Sequence, residues 1–92
     1  MSFDFQHDRQ ARCFYAKIEG ATVKTSREVL GGHVIADFDA DGQPVGLRIL
    51  YDNANDFLEK IDSTPDEAWP PGLWGAINMR LTTIILVEMR DA

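Results

Sequence analysis

The sequence predicts an α+β fold: an antiparallel β-meander of about four strands, one short helix, and a C-terminal strand joining the sheet or a dimer interface. Three observations carry that expectation. From residue 11 to residue 49, apolar and polar side chains alternate with the period of two that marks half-buried strands. The interruptions are short and rich in glycine and aspartate, which favours consecutive strands that return antiparallel. From Asp52 the apolar spacing changes to three and four, the period of a helix.

The first expected strand, residues 11–18, sets Phe14, Ala16 and Ile18 on one face and Cys13, Tyr15 and Lys17 on the other. Glu19-Gly20-Ala21 turns the chain into a more polar second strand from Thr22 to Leu30, and Gly31-Gly32 turns it again. His33 to Phe38 places Val34, Ala36 and Phe38 on one side and His33, Ile35 and Asp37 on the other. Asp39-Ala40-Asp41-Gly42 is a hairpin signal, because aspartate bonds back to the local backbone and glycine accepts positive φ. The return strand carries Val45, Leu47 and Ile49 on one face and Arg48 on the other. Pro44 stands at its start, where a missing N–H costs least.

Ala54, Phe57, Leu58 and Ile61 form one helical face after an Asp52 or Asn53 N-cap, with Asn55, Asp56, Glu59 and Lys60 outward. Thr64-Pro65-Asp66-Glu67 reads as a capping box opening a further helical turn, which Pro70-Pro71-Gly72 stops. Beyond it, Leu73, Trp74, Ile77 and Leu81 fit a helical stripe. The run Thr82 to Val87 is rich in β-branched residues, which favours a strand from about Arg80. One domain, 1–92, thus divides into a meander (1–53), a helix (54–62), a turn-rich connection (63–79) and a C-terminal strand (80–90).

The segments Asp8-Arg9-Gln10-Ala11-Arg12-Cys13-Phe14-Tyr15 and Asp37-Phe38-Asp39-Ala40-Asp41-Gly42-Gln43-Pro44-Val45-Gly46-Leu47-Arg48-Ile49-Leu50 resemble domain of unknown function 2283. Members of that family of short bacterial and phage proteins read Asp-x-x-Ala-Asp-x-Leu-Tyr, then Asp-x-x-Gly-x-Val-Val-Gly-Ile-Glu-Ile-Leu. The resemblance covers about residues 5–53 and leaves the tail from Pro65 unmatched. Arg12 stands where the family has an acid, and Arg48 replaces a glutamate. The resemblance implies an antiparallel sheet with a helix, and it implies no activity.

The chain carries a formal charge of −6, and residues 1–30 are nearly neutral, so the negative charge lies beyond them, densest from Asp52 to Glu67. Carboxylates repel phosphate backbones, which argues against direct nucleic-acid binding. Neither a signal peptide nor the ~20 apolar residues of a membrane span is legible. Cys13 stands alone, so no internal disulfide is expected and a reducing, cytoplasmic setting is the natural one.

Asp37-x-Asp39-x-Asp41-Gly42 copies the opening of an EF-hand loop, but the glutamate such a loop requires at its end is Arg48 here. The turn accounts for the same residues, so no metal or cofactor is expected. Cys13, His33 and Asp37 offer a nucleophile, a base and an orienting acid on paper, yet nothing supplies an oxyanion site or a phosphate loop. No catalytic residue is expected. The expectation is a non-enzymatic protein-interaction domain, such as an antitoxin-like neutraliser or a phage-encoded inhibitor of a bacterial defence protein. The alternative is a small-ligand binder or weak enzyme using the Cys13/His33/Asp37 region.

Its partner is expected to be a host or other protein, basic enough to meet Asp52, Asp56, Glu59, Asp62, Asp66 and Glu67. Trp69 and Trp74, held by the prolines between them, add aromatic anchors. A homodimer is expected through Ile84, Ile85, Leu86 and Val87, because so apolar a strand left on an open edge invites aggregation.

Overall fold

The computed structural model describes residues 2–83. Five antiparallel strands form one sheet: β1 (Phe3–Asp8), β2 (Cys13–Ile18), β3 (Thr25–Leu30), β4 (Val34–Phe38) and β5 (Pro44–Leu50). Two helices follow, α1 (Ala54–Ser63) and α2 (Leu73–Thr83), with a single 3-10 turn at Asp66–Ala68 between them. The α+β class, the antiparallel sheet and the first helix are therefore as the sequence predicts.

The order in the sheet is β1-β2-β5-β4-β3, so the strands do not form one continuous meander. Strands β3 to β5 do run as a meander, and β5 then returns to pair with β2, a Greek-key arrangement. The reason lies in composition. In β3 the first four residues, Thr25 to Glu28, are exposed, which suits an edge. In β5, Leu47 and Ile49 are almost wholly buried, which suits the centre.

A fifth strand, absent from the expected meander, is β1. Phe3, Phe5 and His7 alternate there with Asp4, Gln6 and Asp8, and pair with Ile18, Ala16 and Phe14 of β2. Six residues with two acids give a weak periodic signal; the pairing with β2 supplies the rest.

The hairpin between β4 and β5 is closed as the sequence indicates. The Asp39 carboxylate accepts from the N–H of Asp41 and of Gln43, each at 2.9 Å, and Gly42 has φ +80°. Helix α1 begins at an Asn53 N-cap, whose side chain accepts from Asp56 N at 2.9 Å. Thr64 does not cap the following turn. Its hydroxyl donates back to the Lys60 carbonyl at 2.6 Å and so closes α1 instead.

Both helices cover the same sheet face. Phe57 and Ile61 of α1 and Leu73 and Ile77 of α2 join Phe14, Ala16, Val34, Ala36, Leu47 and Ile49 in one core. The Phe57 ring meets Phe14 at 5.5 Å and Tyr51 at 5.6 Å, both edge to face. The strand expected from residue 80 is replaced over residues 80–83 by the end of α2. Leu73 and Ile77, one helical turn apart, are both 0 % exposed, and that burial outweighs the β-propensity of single residues. The rest of the expected strand, residues 84–90, with Ile84, Ile85, Leu86 and Val87, lies outside the described residues.

Candidate functional site: the open face of the sheet

The other sheet face carries no helix among the described residues. Cross-strand pairing aligns Gln6, Tyr15, Arg48, Ile35 and Glu28 in one row, and Asp4, Lys17, Gly46, Asp37 and Ser26 in the next. Alternation along each strand puts both rows on the side opposite Phe14, Ala16, Leu47 and Ile49.

Near the middle of this face Asp37 is only 5 % exposed, although it is a carboxylate. It is satisfied from two strands: the Tyr15 hydroxyl donates to Oδ2 at 2.5 Å, and the Ser26 hydroxyl donates to Oδ1 at 2.6 Å. Tyr15 must lean diagonally across β5 to reach it, and the residue it passes is Gly46. A Cβ on Gly46 would lie 3.0 Å from both the Tyr15 hydroxyl oxygen and Asp37 Oδ2. A side chain there would press on both oxygens, so glycine is what lets them approach this closely without giving way. The Arg48 guanidinium sits 4.8 Å from the centre of the Tyr15 ring, a cation–π stack. Tyr15 is held at its tip by Asp37 and on its ring by Arg48.

Burial pushes the Tyr15 phenol well above its ordinary pKa, and the hydrogen bond to Asp37 pushes it further; Arg48 opposes both. Burial likewise raises the Cys13 thiol, with Arg48 pulling the other way. A raised pKa keeps the thiol protonated, which is the weakly nucleophilic form.

Cys13, His33 and Asp37 are not brought together. Cys13 pairs with Leu50, and the Leu50 N–H donates to the His33 carbonyl, so β5 separates cysteine from histidine. Two strand spacings amount to roughly 10 Å, and four residues along β4 put Asp37 roughly 13 Å from His33. The Asp37 oxygens face Tyr15 and Ser26 instead. Among the described residues, no cluster of His, Cys, Asp and Glu is arranged to hold a metal ion.

The acidic candidates divide into two groups. Asp56 belongs to the start of α1: it accepts from Asp52 N at 2.8 Å and pairs with Lys60 at 2.7 Å. That lysine, first among several influences, holds the Asp56 carboxyl below its usual range. Asp52, Glu59 and Glu67 are exposed. Asp62 and Asp66, also exposed, come together with Ile61, Thr64, Trp69 and Trp74 around a cleft of about 310 Å³. Ser26, Gly46 and Tyr15 are the site residues that sequence reasoning passes over. A glycine inside a strand, Gly46 in β5, is the signal that points to them.

The family model described as "Protein of unknown function (DUF2283)" matches residues 5–51, just over half of the 92-residue chain, and the chain belongs to that family. No curated protein and no solved structure matches the chain. The matched segment contains Tyr15, Ser26, Asp37, Gly46 and Arg48, whereas the cleft at residues 61–74 lies wholly beyond it. No helix among the described residues is long and apolar enough to cross a membrane.

Proposed function

With family membership as the premise, we propose that this chain is a non-enzymatic protein-interaction domain whose contact surface is the open sheet face. One observation carries the reading: Tyr15 and Arg48 are stacked at the middle of a face that no helix covers among the described residues, with the Tyr15 hydroxyl fixed by a buried carboxylate. Tyrosine and arginine are the residue types that dominate binding hot spots, and a side chain ordered beforehand loses less entropy on binding. Around them lie Ile35, an apolar neighbour, and the rim charges Asp4, Lys17 and Glu28, the arrangement of a small apolar centre with a polar border.

The occupant is a protein of the cytoplasm, or a second copy of the chain. The role proposed for it is that of an antitoxin-like neutraliser or a phage-encoded inhibitor of a bacterial defence protein. The test compares wild-type and Arg48→Glu baits in affinity purification from a bacterial extract, with sedimentation of both run in parallel. A protein, or a second copy, held by wild type and lost by Arg48→Glu is the expected result. Identical captured sets and identical sedimentation would remove the open face from consideration.

A further inference from the structure

The cleft between the end of α1, the 3-10 turn and the start of α2 has a chemistry of its own. The geometry points to a receptor for one cationic side chain, lysine or arginine, presented by a partner protein. Its walls are two indoles, Trp69 and Trp74, whose ring centres lie 5.4 Å apart with planes at 79°. Nearly perpendicular planes frame a corner, and Trp74, at 47 % exposure, leaves ring surface open to it. The face of an indole is the strongest aromatic partner for an ammonium or guanidinium group.

Charge complementarity fixes the sign of the occupant. Asp62 and Asp66 line the cleft and, among the described residues, no basic one does. The nearby Lys60 is engaged elsewhere, with Asp56 at 2.7 Å and the Leu50 carbonyl at 2.9 Å. The negative end of the α1 dipole at Ser63 and the positive end of the α2 dipole at Leu73 both lie at the cleft and offset each other, so the two carboxylates set the sign. An anion is repelled there, and a purely apolar group would dehydrate two carboxylates without compensation.

Size narrows the class further. About 310 Å³ stands at the lower limit of ligand pockets, which run from about 300 to 1,000 Å³, so a single long side chain fits and a dinucleotide does not. The protein source of the cation rests on the interaction-domain reading; the cleft's preference for a cation does not.

The two tryptophans of the chain are both in this cleft, so tryptophan fluorescence, excited at wavelengths beyond the absorbance of Tyr15 and Tyr51, reports on it alone. Full-length protein is titrated with acetyl-Gly-Arg-Gly-amide and acetyl-Gly-Lys-Gly-amide. The neutral controls replace arginine by citrulline and lysine by acetyl-lysine, and tetramethylammonium chloride serves as a free cation. Saturable changes with both basic peptides, absent with the neutral controls, are expected. The exposed pair Asp62→Asn and Asp66→Asn, combined, should weaken that binding roughly tenfold, while Arg48→Glu leaves it unchanged. An equal response to the neutral peptides, or no saturable response, overturns the cationic receptor. Tighter binding of tetramethylammonium than of either peptide overturns the protein source in favour of a small ammonium compound. Loss of partner capture by Arg48→Glu together with a silent cleft leaves the open-face reading standing without this one.

Discussion

The two faces of the sheet share one backbone and are held by opposite means. Under the helices, order comes from volume: Phe14, Leu47, Ile49, Phe57 and Ile77 exclude water and fill space among themselves. On the open face, order comes from direction: one carboxylate, two hydroxyls and a stacked guanidinium fix Tyr15 where little apolar mass exists to do so. Non-directional burial supplies more stability per residue, whereas hydrogen bonds to a buried acid supply less and specify more. A face without a packed layer over it is ordered by the second means, because the first needs apolar mass to bury.

The largest test of this contrast is truncation. Phe57→Ala should cost about 3–5 kcal/mol in urea denaturation, while Ile35→Ala on the half-buried open face should cost about 1–2 kcal/mol. Equal costs would mean that something beyond the helices covers the open face.

Next in size is the carboxylate itself. Asp37→Ala leaves the Tyr15 and Ser26 hydroxyls without their acceptor and should cost about 1–3 kcal/mol. Because both changes break one bond, Asp37→Ala combined with Tyr15→Phe should destabilise by less than the sum of the singles. Strict additivity in a double-mutant cycle would show that the hydrogen bond carries no stability.

The smallest effect is a pH dependence. The folded-state pKa of Tyr15 is raised, so below about pH 10 the phenol is protonated in folded and unfolded chains alike and its stabilisation is present in full. As pH rises beyond that value the unfolded chain ionises first, and the contribution is lost. As pH is raised above about 10, Tyr15→Phe should therefore lose less stability than wild type, followed by denaturation at each pH and by phenolate absorbance.

Legibility in the sequence follows the same division. The helix-covered face was readable because burial leaves a periodic trace: Phe14/Ala16, Val34/Ala36 and Leu47/Ile49 each stand two apart. The lock on the open face was not, since Tyr15, Ser26, Asp37 and Gly46 come from four strands and meet only through register. The end of α2 was misread for a related reason. The β-branched composition from Thr82 is a local signal, and the burial of Leu73 and Ile77 that sets the helix is a tertiary one. Trp69, Trp74, Asp62 and Asp66 stand out singly in the sequence as contact residues; their convergence on one cleft comes from the fold.

The Greek-key order has a consequence for how the molecule assembles. Strands β1 and β2 close as a local hairpin, and β3, β4 and β5 close as a local three-stranded unit, each across short loops. The two halves are stitched by the β2–β5 ladder, from Cys13 with Leu50 to Lys17 with Gly46, which is the pairing with the long entropic reach. Tyr15 belongs to one half, and Asp37, Ser26 and Gly46 belong to the other. The tyrosine latch therefore cannot form in either half alone and closes only as the halves dock, so an ordered Tyr15 marks a completed sheet.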